Sequence, residues 1–219
     1  MRDRTRNINL CGESLQGLQH VCAFFDSREE QYEVLNPYFS EGLETGDEVV
    51  TIVESAFHEE HVRRMSQGGV HVGKGLESGQ LKVVASEASY IKDKVFVADR
   101  MYAMLEEVLC NATNGPYGSV RTMGDMEWAL KNLPGTDELM MYEARVNLLA
   151  SHHDCTLLCA YDVNRFSGRV IADVLATHSH VIINGKVHTN PYYVDPVTYL
   201  SKLALRRPAE STASPGHRH

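Results

Sequence analysis

The chain of 219 residues is 43% hydrophobic, carries a formal net charge of −8 and has a pI of about 5.7. That length favours one large domain or two small ones, and the hydrophobic share supplies a core, so disorder is not the default. The acidic balance excludes a surface built mainly for phosphate backbones or anionic membranes, though not a small basic site.

The opening MRDRTRNINLCGESLQGLQ has no apolar core of a secretory signal, and no run approaches the roughly 18 apolar residues of a membrane helix. Five cysteines, at 11, 22, 110, 155 and 159, read as free thiols in a reducing cytoplasm. The sequon at Asn111 has no meaning in that compartment.

HVCAFF (20–25) is the first strong strand. Asp26 or Ser27 caps the next helix, Glu29 and Glu30 suit its first turn, and Gly46 ends it beyond an internal Pro37. Strands follow at 49–55, 80–86, 119–125, 155–162 and in HVIIN (180–184). Between them lie amphipathic helices at 56–69, 99–112, 126–133, 137–153 and 167–178, and VTYLSKLALR closes the chain. Nearly continuous apolar strands alternating with helices predict an α/β fold: one three-layer domain with a mostly parallel central sheet and helices on both faces. The expected division is an N-terminal extension (1–18), the folded domain (19–205) and a disordered tail (206–219).

Sheets of this kind bind ligands beyond the carboxyl ends of their strands. The first such turn, FFDSREEQYE, lacks glycine and a Walker-type lysine, and its Asp26, Glu29 and Glu30 repel phosphate. His20 and Cys22 share one strand face, as half a metal site, a polar lining or plain core packing. Cys155 and Cys159 also share a face, but lie roughly 13 Å apart along an extended strand, which favours packing over zinc. His58 and His61 stand one helical turn apart among charges, on what reads as a solvated face. Glu143 and Asn147 share a helix face, and Glu143–Arg121 or Glu127–Arg145 would make natural ion pairs. No Gly-x-Ser-x-Gly, His-Glu-x-x-His, CxxC or kinase signature is present.

HSHVIINGKVHTNPYY (178–193) is a hairpin around Asn184-Gly185, with an exit set by Asn190-Pro191 and an aromatic clamp of Tyr192 and Tyr193. His178 and His188 could face each other across it. A metal centre of His20, Cys22, His178 and His188 competes with an organic-ligand pocket lined by the same groups and Tyr192, and the pocket is favoured.

HVCAFFDS, EEQYEVLNPYFSEGLETGD, ESGQLKVV, DRMYAMLEEVL, RTMGDMEWAL, YEARVN, CAYDVNRFSG and HSHVIINGKVHTNPYYVDP occur in this order. Together they resemble the MEDS domain, named for methanogen/methylotroph and the sensory region of the dichloromethane-responsive regulator. The likeness runs from about His20 to Leu203. It implies a RecA/KaiC-like fold with a degenerate phosphate loop and a sensory role toward small organic molecules, including hydrocarbon derivatives. Where the family usually reads His-Pro after the sixth helix, this chain has His178-Ser179-His180.

The expectation is therefore a non-catalytic cytoplasmic sensor without cofactor or metal. Its ligand-binding residues would be His20, Cys22, Phe24, Glu54, Arg121, Glu127, Glu143, Arg145, His178, His188, Asn190 and Tyr192, gathered at the carboxyl edge of the sheet. Neither end of the chain holds an output module, which places output on a separate protein: a histidine kinase, an anti-sigma-type kinase or a DNA-binding regulator. Direct nucleic-acid or membrane binding is not expected, and a homodimer is allowed. The rival readings are a ligand-independent interaction regulator of a kinase or anti-sigma factor, and, behind it, a residual NTPase or metal-dependent enzyme.

Overall fold

The computed structural model describes residues 7–17 and 19–206, so the expected tail lies outside the described residues apart from Arg206. Seven strands form the central sheet: β3 (His20–Phe25), β4 (Glu48–Val53), β5 (Leu81–Ala85), β6 (Val120–Asp125), β7 (Cys155–Asp162), β8 (His180–Ile183) and β9 (Lys186–Thr189). Their order is β5-β4-β6-β7-β3-β8-β9, and all pairs are parallel except β8 with β9. All six residues of β3 and of β4 are buried, because helices cover both faces and no side of these strands meets water.

One face carries α1 (Arg28–Glu44), α2 (His58–Gln67) and α3 (Val72–Ser78). The core there joins Leu35 and Phe39 of α1 to Val21, Ala23, Val49 and Leu158 of the sheet. The opposite face carries α4 (Ala98–Asn114), α5 (Leu139–Ala150) and α6 (Gly168–Thr177), with α7 (Pro196–Arg206) packed on α5 and α6. Its core joins Met101, Leu105 and Val146 to the alternate strand residues Cys22, Val50, Leu157 and Cys159. No helix among the described residues is long and apolar enough to cross a membrane.

The expected strands and helices form within a few residues of their anticipated ends, with three differences. Residues 72–78 are helical although two glycines there weaken the signal, since Val72 and Gly75 are held against the sheet. MEWALK (126–131) is a 3₁₀ segment rather than the start of an α-helix, ended by Asn132 at φ +48°. Within the expected N-terminal extension, β1 (Asn7–Leu10) and β2 (Glu13–Gln16) pair as a hairpin, and the Asn9 backbone N–H donates to Glu41 of α1 at 3.0 Å. The Asn184-Gly185 turn forms as read, both residues adopting positive φ (+52° and +66°) between β8 and β9.

Candidate functional site

The crevice beyond the carboxyl ends of β3, β6 and β7 is narrowed by the protein's own groups to a small pocket of about 240 Å³, its open mouth included, lined by Ser27, Arg28, Asp125 and Glu127. Ser27 caps α1 by accepting from the Glu30 N–H at 3.2 Å, while Glu30 accepts from the Asp26 N–H at 2.7 Å. The helix N-terminus that would hold an anion is thus met by side chains of its own turn. Arg28 reaches across to Asp125 (2.6 Å) and Glu127 (3.0 Å), and Arg165 pairs with the other oxygen of Glu127.

The large cavity lies instead on the α4/α5 face, beneath those helices. Its empty space is about 650 Å³ with the open solvent at its mouth included. Floor residues come from five adjacent strands: Val84 of β5, Val50 and Ile52 of β4, Thr122 and Gly124 of β6, Leu157 and Cys159 of β7, and His20 of β3. Met101, Leu105, Tyr142 and Val146 form the roof. Lys82 is exposed and Val84, Met104 and Val108 are half-buried, so the mouth lies between the edge strand β5 and α4. Gly124 is required in the floor, since a Cβ there would stand 2.4 Å from the Tyr90 hydroxyl.

At the inner end the apolar walls give way to a buried polar cluster. Glu143, from α5, is fully buried; its Oε1 accepts from the Tyr161 hydroxyl at 3.1 Å, and its Oε2 faces His20 Nε2 at 3.2 Å and His178 Nε2 at 3.5 Å. Cys159 Sγ lies 3.6 Å from the same oxygen. Burial pushes the Glu143 carboxyl up, but the contacts with His20, His178 and Tyr161 outweigh it and hold the group below the usual carboxylate range. Burial, and then the neighbouring His20, lower His178 to about 3, so its imidazole is neutral. The Cys159 thiol is pushed well up by burial and by the Glu143 charge.

The expected site residues do not converge on one place. His20, Glu143 and His178 meet in the cluster, with Cys22 buried beside them and its thiol directed to the His180 carbonyl at 3.7 Å. Phe24 belongs to the apolar core, 6.0 Å from the Tyr161 ring. Arg121 points to the opposite face, where it binds Asp47 at 2.7 Å and Glu41 at 2.6 Å, not Glu143. Glu127 is held by Arg28 and Arg165 rather than Arg145, which pairs with Asp99 at 2.5 Å. Glu54 pairs with Lys131 at 2.7 Å. His178 ends α6 and turns inward, whereas His188 sits exposed opposite Val181 on β9, so the two do not face each other. Asn190 is buried and its Nδ2 donates to the carbonyls of Leu175 (2.6 Å) and His178 (2.7 Å), tying the hairpin exit to α6. Tyr192 is 69% exposed and clamps nothing.

His61 is not on a solvated face either. It is fully buried between the Tyr32 hydroxyl (2.7 Å) and Thr51 (2.9 Å), because α2 presents His61 and Met65, one turn apart, to the sheet. Burial, aided by the charges of His58 and Arg28, lowers it to about 4. Such an imidazole gains its proton on unfolding, so stability is complete above about pH 6.5 and declines as pH falls toward 4. The expected contribution is about 1.4 kcal/mol per pH unit in that window, and urea unfolding of His61→Gln should show a slope flatter by that amount. An unchanged slope would contradict a neutral, buried His61.

Residues 19–179 match the profile of the family described as MEDS: MEthanogen/methylotroph, DcmR Sensory domain. The transcriptional repressor DcmR of Methylorubrum extorquens is 29% identical over 160 residues, 73% of this chain and 57% of the repressor. The chain therefore spans little more than half of that relative's length. Among solved structures, a KaiC-like protein of Pyrococcus horikoshii superposes with a TM-score of 0.54 at 15% identity, covering 74% of this chain and 70% of that one. The flagellar accessory protein FlaH of Methanocaldococcus jannaschii gives 0.54 at 11%, covering 88% and 90%. These two similarities establish a RecA/KaiC-like fold.

Proposed function

The chain belongs to the MEDS family of sensory domains, and on that premise we propose that it is a non-catalytic sensor whose ligand is a small, mainly apolar organic molecule bound beneath α4 and α5. The regulatory role is that of the family and of its repressor relative. One observation carries the finer reading: the cavity is walled mainly by apolar side chains, with Lys82 at its mouth, Thr122 in its floor and a polar cluster of His20, Glu143 and Cys159 at its inner end. A short hydrocarbon derivative matches that polarity, its chain against Val50, Ile52, Leu105 and Val146 and its substituent at the cluster. The crevice where a nucleotide would sit is narrowed by Arg28, whose charge is already paired with Asp125 and Glu127, which speaks against phosphoryl chemistry.

Occupancy would favour one packing of α4 and α5 on the sheet over another, and thereby alter contact with a separate output protein, a histidine kinase, anti-sigma-type kinase or DNA-binding regulator. Thermal unfolding with a panel of short haloalkanes, alcohols and amines tests this. A ligand at 100 times its Kd stabilises the fold by about 2.7 kcal/mol, and Val146→Phe, which fills the cavity, abolishes that gain. Absence of any shift across the panel, or a shift that persists in Val146→Phe, would contradict the assignment.

A further inference from the structure

The geometry assigns a site for one divalent transition-metal ion of the zinc class to His20 Nε2, His178 Nε2, a Glu143 oxygen and Cys159 Sγ. These four donors lie within 4.8 Å of one another, and every residue is buried. They come from three elements and the end of a fourth, separated by up to 158 positions (20 to 178), so no local packing rule explains their meeting.

Hydrogen bonding fixes which ring nitrogen of each histidine faces the centre. His178 Nδ1 donates to the Val174 carbonyl at 2.8 Å, which can only accept. With Nδ1 committed there, Nε2 faces the centre, buried and without a hydrogen-bond partner. Asn147 commits its Nδ2 to the carbonyls of Glu143 (3.1 Å) and Thr177 (2.8 Å), leaving its Oδ1 to accept from His20 Nδ1 at 3.2 Å. Both rings are therefore held by an outer acceptor with Nε2 aimed at the Glu143 carboxylate, the arrangement that orients metal-ligating histidines.

Four of the six donor–donor spacings match a tetrahedral ion. With bonds of about 2.1 Å to nitrogen or oxygen and about 2.3 Å to sulfur, donors stand about 3.4 Å apart, or about 3.6 Å where one is sulfur. Here Glu143 Oε2 is 3.2 Å and 3.5 Å from the two imidazole nitrogens, and Cys159 Sγ is 3.6 Å from both His20 Nε2 and Glu143 Oε2. Two imidazoles, one thiolate and one carboxylate select zinc-like ions over magnesium or calcium. Binding forms the metal–sulfur bond and releases the thiol proton, with any proton on His20 Nε2, to solvent. A dication, a thiolate and a carboxylate then sum to zero charge, which suits a site closed to water. Three of the four donors also line the inner end of the cavity, so the ion would form its floor.

The test needs no organic ligand and its outcome is separate from that of the sensory reading. Full-length protein purified without chelators should carry one zinc per chain by elemental analysis. After chelator treatment, cobalt should restore a tetrahedral visible spectrum with a sulfur-to-cobalt charge-transfer band. Cys159→Ser should remove that band, while Cys155→Ser, Cys22→Ser and the tail variant His217→Ala/His219→Ala should keep it. Asn147→Ala, which frees the His20 ring without touching the ion, should weaken affinity about 10–100-fold. Failure of the folded wild-type protein to bind either metal would overturn the assignment, as would a band that survives in Cys159→Ser.

Discussion

Replacing Arg121 with methionine is expected to cost about 3–5 kcal/mol of folding stability, measured by urea or thermal unfolding. The guanidinium is 1% exposed, bonded through Nε to Asp47 at 2.7 Å and through Nη1 to Glu41 at 2.6 Å and the Tyr38 carbonyl at 3.1 Å, with its Cζ 5.0 Å from the Tyr38 ring centroid. Methionine fills much of the volume but leaves the Asp47 carboxylate buried beside an apolar chain, and that desolvated charge dominates the loss. Because Arg121 lies on the α1 face, ligand-induced stabilisation should survive at a temperature where the variant is folded. A loss below 1 kcal/mol, or a stable variant that no longer responds to ligand, would return Arg121 to the binding site.

Trp128→Ala should cost about 3–5 kcal/mol as well, through a void rather than a charge. The indole is fully buried and stacks between Tyr90 (ring centroids 5.0 Å apart) and Phe96 (4.8 Å), and Tyr142 meets Phe96 edge-on at 5.8 Å. Tyr90 and Tyr142 are walls of the cavity, so the tryptophan supports the pocket from behind. Trp128→Phe should lose far less, because it keeps a stacked ring and removes a buried indole N–H that has no acceptor. In Trp128→Ala, Tyr90 can retreat into the new space and the pocket should accept bulkier ligands. Equal losses for the two variants would show that volume is not what matters at this position.

The fold was largely legible because the apolar strands and their flanking helices are long and strongly patterned. β7 (CTLLCAYD) and α5 needed no tertiary information beyond periodicity. The lack of a phosphate cradle was likewise written in a local segment, Asp26–Glu30. The polar cluster was legible only in its members. Glu143, His20 and His178 each look ambiguous alone, and their meeting depends on strand order, which places β3 between β7 and β8. Cys159 was set aside because its sequence neighbour Cys155 is too distant, although its partners are 16 and 139 residues away. Arg121 and Glu127 mislead for the opposite reason: their ion-pair partners, Asp47 and Arg28, come from segments that gave no hint of the pairing. The His178–His188 facing failed because α6 ends on His178, which turns inward before the hairpin begins.

The occupied face of the sheet can be read from methionine methyl resonances. Met101 and Met104 line the cavity, while Met65 is buried in the core of the opposite face and Met123 of β6 packs there too. Titrating methyl-labelled protein with short haloalkanes and alcohols should shift Met101 and Met104 saturably and leave Met65 and Met123 in place. Saturable shifts confined to Met65 and Met123, or none at all up to the solubility limit of the ligands, would contradict a binding site beneath α4 and α5.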